Sequence, residues 1–382
     1  MIIVFYYFLT WIAFFLGAIP LFFLSFFKNK YKLSLKARFF LYKNSCQDAK
    51  VHFHACSLGE VRSIGVLSQK FDSRISVITQ TGFEEAKKFC KRVNFLVFEN
   101  FLPFWLKPCK VLVIFEAEYW LMLVFMAKLK GAKVLLINAR IADKSYKVYL
   151  RFAFFYRLIF SYIDEVFAQS EKDKLRLEEL GAKNVRVFKN IKANLDVVPH
   201  KRYVKLKEKL IIFASTHKNE EELLLKSINL QENERLIIAP RHPERFLEVE
   251  NLLSNYSYEK FSHLEKWEDF KAQILLLDTL GELVNFYAIS DVVVLGGSFI
   301  ANIGGHNPIE VASFNNVLIS GIHIDNQKSL FAEVENVNFC EDLKNLNFMM
   351  HNLNKKARIS HFKDLSIVEN AIKEGLDARK SL

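Results

Sequence analysis

The run Gly296-Gly297-Ser298-Phe299-Ile300-Ala301-Asn302-Ile303-Gly304-Gly305-His306-Asn307-Pro308-Ile309-Glu310 concentrates groups able to meet an anion. It follows Asp291–Leu295, whose apolar residues read as a buried strand. It leads into Ile309–Ala312, which reads as the start of a helix. The paired glycines allow close backbone approach and positive φ. Pro308 suits the first helical position, with Asn307 as N-cap. Unpaired N–H groups at the positive end of a helix make a seat for a phosphate. Asn307 to Glu310 also spell a capping box, in which Glu310 bonds back to the Asn307 backbone. The glycines and His306 exceed what a cap requires.

Other polar turns end apolar runs. His54-Ala55-Cys56-Ser57-Leu58-Gly59-Glu60 places a carboxylate in the first turn of a helix. Glu60 there could stay ionised and accept a proton from a hydroxyl, or could only complement the helix dipole. Thr79-Gln80-Thr81-Gly82 could hydrogen-bond a polar ligand. Glu116-Ala117-Glu118 ends a buried strand, where unpaired charge is costly, so these carboxylates must find cations or serve a site. Asn138-Ala139-Arg140 and Asn190-Ile191-Lys192 deliver cations. Further on come Ser215-Thr216-His217, Asp278-Thr279-Leu280-Gly281-Glu282-Leu283 and Pro240-Arg241-His242-Pro243-Glu244-Arg245. Arg241 is the natural phosphate ligand, because a guanidinium matches phosphate oxygens in pairs. His217, His242 and His306 lie on separate loops without metal-ligand spacing, and the chain has no Asp-x-Asp. A departing phosphate would then depend on protein cations and helix ends.

These turns need a scaffold. Strands are expected at Val51–Ala55, Ile75–Thr79, Val111–Phe115, Val134–Asn138, Glu165–Gln169 and Val185–Lys189. Helices are expected between them, at Glu84–Arg92 and Glu171–Leu180 among others, with Gly181 as a stop. After a polar, basic stretch at 196–209, read as a linker, strands resume at Leu210–Ala214, Leu236–Ala239, Ile274–Leu277, Val292–Leu295 and Val317–Ile319. The alternation implies α/β architecture with two doubly wound, Rossmann-like domains, and ligands at the carboxyl ends of the strands in a cleft between them. The expected organisation is an anchor (1–27), a first domain (28–195), the linker (196–209), a second domain (210–345) and a helical C-terminal segment (346–382).

Composition narrows the partners. The 382 residues are 51% hydrophobic, with 37 phenylalanines, and carry a net charge of +11. That charge favours anionic partners, but no nucleic-acid-binding signature accompanies it, so no nucleic acid is expected. Five scattered cysteines without a C-x-x-C read as reduced thiols. Met1 to Phe27 contains no charged side chain and is long enough to span a bilayer, although Pro20 could kink it. Lys28, Lys30, Lys32, Lys36 and Arg38 follow, which puts the rest of the chain on the cytoplasmic side.

Taken in order, the blocks His54–Glu60, Thr79–Gly82, Glu116–Trp120, Asn138–Arg140, Asn190–Lys192, Ser215–His217, Pro240–Phe246, Gly281–Leu283 and Gly296–Glu310 resemble the 3-deoxy-D-manno-octulosonic acid (Kdo) transferases of lipopolysaccharide synthesis. The resemblance extends from about residue 30 over nearly the whole chain. It implies a glycosyltransferase-B fold and an inverting, metal-independent transfer with no cofactor. CMP-Kdo would be the donor, and a tetra-acylated lipid A precursor the acceptor, at the anionic inner membrane. It further implies Glu60 as general base, with Glu118 and Lys192 stabilising the transition state. Pro240, Arg241, Gly281, Glu282, Leu283, Asn307 and Glu310 would hold CMP, with Ser298, Gly304, Gly305 and His306 nearby. Two blocks depart from the family pattern. Glu-Leu-Trp-Pro becomes Glu118-Tyr119-Trp120-Leu121, and Leu-Lys-Phe-Asp becomes Ile191-Lys192-Ala193-Asn194. The residues by themselves also admit a membrane-associated transferase that uses a UDP-sugar, or a tethered nucleotide-binding protein without catalysis.

Overall fold

The computed structural model describes residues 2–27, 32–39, 41–188, 190–194, 197–360 and 365–378. The chain divides into two compact units, Met1–Asn194 with Lys363–Leu382, and Leu195–Phe362.

The first unit is built on β1 (Val51–His54), β2 (Ser73–Val77), β3 (Val93–Phe95), β4 (Val111–Phe115), β5 (Lys133–Ala139), β6 (Glu165–Ala168) and β7 (Val185–Val187). Every pairing is parallel, in the order β3-β2-β1-β4-β5-β6-β7. Val51, Phe53, Val111, Val113, Leu135 and Ile137 pack on one side of the sheet; Leu112, Ile114, Val134, Leu136 and Val166 pack on the other. Burial on both faces explains why these strands read as unbroken apolar runs rather than alternating ones. The order of winding reverses between β1 and β4, the switch point whose crevice binds ligands in open parallel sheets.

The second unit repeats the plan with β8 (Lys209–Thr216), β9 (Glu234–Pro240), β10 (Tyr258–Lys260), β11 (Ile274–Leu276), β12 (Val292–Leu295), β13 (Val317–Ser320), β14 (Val334–Glu335), β15 (Val337–Phe339) and β16 (Arg358–Ile359). The parallel sheet runs β10-β11-β9-β8-β12-β13-β15, and β14 pairs antiparallel with β16.

The strands expected from sequence fall where the structure has them, within a residue or two at their ends; Lys189 lies outside the described residues. The edge strands β3, β10 and β15 were not foreseen. Each is three residues long and only partly apolar, so neither length nor hydrophobic pattern marks it. The helix expected at Glu84–Arg92 instead spans Gln80–Ala86. Thr79 caps it by accepting from the Gly82 N–H at 3.2 Å, which starts the helix earlier. The helix Ser366–Asp377 belongs to the first unit, with Val368, Ala371 and Ile372 in its core. Residues 196, 361–364 and 379–382 of the expected linker and C-terminal segment lie outside the described residues.

The helix Ile2–Phe27 runs through Pro20 without a break. Its Ile2–Phe23 portion is long and apolar enough to cross a membrane. One side of its first half packs on the first unit. Tyr7 donates to the Asn100 carbonyl at 3.0 Å, Tyr6 bonds to Glu99, and the Phe14 and Phe101 rings meet at 5.0 Å. Phe5, Phe8, Phe15, Leu16, Ile19 and Phe23 are exposed. So much contiguous exposed hydrocarbon calls for lipid or protein contact.

Candidate active site

In the first unit, polar residues gather where β1, β4, β5 and the turn after β7 end. Glu60 sits in the first turn of the helix Leu58–Gln69. Its Oε2 accepts from the Cys56 N–H at 2.7 Å, and its Oε1 accepts from the Ser57 hydroxyl at 2.9 Å. The carboxylate is thereby turned back over the strand end instead of outward. Burial pushes Glu60 above the ordinary carboxylate range; the Cys56 bond and Lys192 oppose this, and Glu116 adds to it. A carboxyl so raised is a stronger base once ionised.

Glu116 takes a left-handed conformation, φ 55°, which is costly for a residue with a side chain. Three contacts hold it there. Lys192 Nζ lies 2.6 Å from Oε1, the Asn138 amide donates to Oε1 at 3.1 Å, and Arg140 Nε stands 4.0 Å from Oε2. Asn138 also accepts the Ile191 N–H at 2.8 Å, so one side chain positions both Glu116 and the turn that carries Lys192. Lys192 was expected to act alongside Glu118; its ion pair in the structure is with Glu116. Sequence spacing could not choose between two carboxylates one residue apart, because the choice depends on the backbone reversal at Glu116. The Asn194 side chain, a departure from the family pattern, lies outside the described residues.

Glu118 faces a different set of partners. Trp120 Nε1 donates to its Oε2 at 2.8 Å, and the buried His54 Nε2 stands 3.6 Å away. Burial alone would raise Glu118, but His54, Trp120 and the Cys56 thiol together hold it below the ordinary range. The Cys56 thiol is itself pushed up to about 12, first by burial and then by Glu118 and Glu60, so it stays protonated and serves as a donor. Thr79 is not offered to a ligand: its hydroxyl donates to the Cys56 carbonyl at 3.1 Å while capping its own helix.

In the second unit the glycine-rich turn after β12 departs from expectation. Gly296 is required by close approach, since a Cβ there would stand 2.8 Å from Thr216 Cα. The N–H groups of Gly297 and Phe299, read as a phosphate seat, instead donate to Glu220 at 2.7 and 3.0 Å. The His217 N–H completes the set at 2.9 Å. Glu220 is fully buried, so the chain supplies its own anion to this nest. Glu221 beside it forms a two-pronged pair with Arg245, at 2.7 and 2.9 Å. Glu220 and Glu221 were not singled out from sequence. They are two of three glutamates that open the helix Glu220–Lys226, and such residues look like ordinary dipole complements until the loops that fold over them are known.

Ser298 is likewise structural: its hydroxyl donates to Leu295 O at 2.6 Å and accepts the Gly321 N–H at 2.8 Å. The Glu282 side chain, expected at the nucleotide, is taken up by Lys201, Tyr203 and Asn285 at 2.5, 2.7 and 2.8 Å. It therefore ties the stretch around 201–203 to the domain, and only its backbone remains for a ligand. Gly281, Gly304 and Gly305 take φ of 87°, 94° and 81°, as expected of turn glycines. Asn307 caps Pro308–Ala312 by accepting the Ile309 N–H at 3.0 Å, with Pro308 in the first turn. Glu310 is half-buried in that turn, and Leu283 opens the helix Leu283–Tyr287 that packs against it.

Arg241 follows Pro240 at the end of β9 and is exposed, with no acidic partner within 4 Å among the described residues. It lies in one neighbourhood with Glu310 and His306. Burial pushes the Tyr287 hydroxyl up, Glu310 pushes it further, and Arg241 opposes both. His306 and His217 meet Nε2 to Nε2 at 2.8 Å with stacked rings, and the His242 ring stands edge-on to His217 at 5.3 Å. Burial, then His217 and Arg241, push His306 down to about 3, so this contact joins neutral imidazoles. Among the described residues no three His, Cys, Asp or Glu side chains are placed to hold a metal ion.

Residues 33–195 match the family model described as 3-deoxy-D-manno-octulosonic-acid transferase (kdotransferase). A curated 3-deoxy-D-manno-octulosonic acid transferase of Rickettsia bellii is 30% identical over 75% of this chain and 74% of its own length. The chain belongs to the Kdo transferase family. A bifunctional glycosyltransferase/methyltransferase of Fusobacterium nucleatum is 32% identical over 81% of this chain, which spans 53% of that relative. Among solved structures, S. aureus MnaA in complex with UDP shares the fold at a TM-score of 0.53, with 13% identity, covering 88% of this chain and 98% of its own. Two Rossmann-like units with parallel sheets accord with the glycosyltransferase-B class. In this member of the family, the strand-end cluster around Glu60 and the Arg241 neighbourhood are the candidate site regions.

Proposed function

We propose that this Kdo transferase moves Kdo from CMP-Kdo to a sugar hydroxyl of a tetra-acylated lipid A precursor, at the cytoplasmic face of the inner membrane. The observation that carries the reading is Glu60. It is a half-buried carboxylate raised by burial, beside the Lys192–Glu116 pair, in a chain of this family.

Glu60 takes the proton of the acceptor hydroxyl. That oxygen forms a bond to the anomeric carbon while the bond from that carbon to the CMP phosphate oxygen breaks, inverting the centre. The electron pair leaves with CMP. Lys192 offsets the negative charge that develops near Glu60, and Glu118, held ionised, favours a positively charged anomeric centre. Arg241 meets the phosphate, and Asn307, Glu310 and the backbone at Gly281–Leu283 hold the rest of CMP. Ser298 and the Glu282 side chain are left out of the donor contacts because their hydrogen bonds are spent within the fold.

The membrane placement is supported by the exposed apolar helix at the N-terminus and by the net charge of +11, which suits an anionic leaflet. Incubation of the purified chain with CMP-Kdo and the lipid acceptor, followed by mass spectrometry of the lipid, tests the reading. The expected product is heavier by one or more Kdo residues, and CMP but not UDP should inhibit its formation. Unchanged lipid, or inhibition by UDP alone, would refute it.

A further inference from the structure

A cavity of about 400 Å³ lies in the first unit between the helix Ile2–Phe27 and the segment 96–100. Thr10, Ala13, Phe14, Arg38, Phe98 and Trp120 contribute to its walls, which are mostly hydrocarbon. The space is partly open to the surface and lined mainly by apolar side chains, which suits an apolar occupant. It borders a helix apolar and long enough to cross a bilayer, which in a membrane would have lipid beside it.

Two side chains say which lipid. Trp120 lines the cavity and donates through Nε1 to Glu118 at 2.8 Å, so the apolar space adjoins the strand-end cluster that contains Glu60. Arg38 donates through Nε to Leu96 O at 2.7 Å and lies 5.3 Å over the Phe98 ring. Its terminal nitrogens have no hydrogen-bond acceptor among the described residues; burial pushes the guanidinium down while Cys56 and Glu118 support its charge, so a partly buried cation, with Glu118 near it, stands at the wall of a hydrocarbon pocket and keeps donors for an anion.

We propose that the cavity seats one acyl chain of the lipid acceptor, with Arg38 facing the acceptor's anionic head. This rests on the transfer reading above and deepens it, because the site would then select its acceptor by acylation as well as by sugar. Bulk phospholipid has the same chemistry, but only the acceptor must reach Glu60, which the cavity adjoins through Trp120.

The test uses the full chain in vesicles of phosphatidylethanolamine and phosphatidylglycerol. The probe is a lipid A precursor with a diazirine at the end of one acyl chain. On irradiation, label should fall on the peptides containing Leu9–Phe14 and Phe98–Asn100, and unlabelled acceptor should displace it while added phospholipid should not. Ala13→Phe, which narrows the cavity, should lower kcat/KM for the acylated acceptor roughly tenfold with the donor KM unchanged, since excluding even two methylenes costs about that much. Label elsewhere, label displaced by phospholipid, or an unaltered kcat/KM in Ala13→Phe would each overturn the inference. Kdo transfer is followed in the same vesicles without irradiation. Its absence in wild-type protein sinks the transfer reading, whereas transfer without cavity labelling sinks only the acyl-chain site.

Discussion

Glu60 and Glu220 hold the same topological post. Each follows the strand that begins its sheet's winding, β1 or β8, and each opens or nearly opens the next helix. Burial raises both carboxyls. They differ in what meets their oxygens. Glu220 is fully buried and accepts three backbone N–H groups, two of them from the distant turn after β12. Glu60 is half-buried and accepts one backbone N–H and one hydroxyl, both from its own turn. The first is spent on holding a loop and the second keeps capacity for a substrate proton. Position in a Rossmann-like unit therefore does not make a carboxylate catalytic; the number of donors that the fold spends on it does.

Arg245→Ala should have the largest effect, and it falls on the structural side of this contrast. It would strand the buried Glu221 and cost about 3–5 kcal/mol of stability, the usual loss when one partner of a buried pair is removed. Calorimetry should show the loss in the transition of the second unit. An unmoved transition would mean that the pair is dispensable.

Glu60→Gln should lower kcat on the order of 100-fold or more through loss of general-base catalysis, with little change in melting temperature. Its pH profile sharpens the point. Because burial raises Glu60, the ionised base is lost as pH falls through a value above the ordinary carboxylate range. The acid limb of kcat/KM should accordingly lie above that range in wild type and vanish in Glu60→Gln. An acid limb that persists unchanged would assign the titration to another group.

Glu220→Gln should do the opposite: a stability loss of about 1–3 kcal/mol, as its amide turns one end toward N–H groups that need an acceptor. Activity should survive at temperatures where the fold does. Loss of activity as deep as that of Glu60→Gln, in protein still folded by near-ultraviolet circular dichroism, would erase the distinction between the two. The smallest expected effect is Arg241→Ala, a rise in donor KM of roughly tenfold from the loss of one charge-assisted contact, with melting unchanged.

The strands could be read because a parallel sheet covered on both faces leaves unbroken apolar runs such as Val292–Leu295. Caps could be read because they are local, as at Asn307 and Pro308. The edges β3, β10 and β15 could not, since pairing with a neighbour rather than composition makes them strands. At the sites, residue types were legible but partners were not. Lys192 pairs with Glu116 because of a backbone reversal that no spacing encodes, and the glycine turn already holds Glu220 from a segment some 80 residues earlier in the chain, a separation on the order of a small domain.

By itself, then, the chain of residues determined the alternation of strands and helices, the apolar N-terminal helix, the strand-end location of its charged turns and its family. These depend on hydrophobic period, turn chemistry and motif order, all of which are local. Tertiary structure alone decided which carboxylates remain free for chemistry. That outcome depends on how many donors arrive from segments far apart in sequence, and only packing brings those donors together.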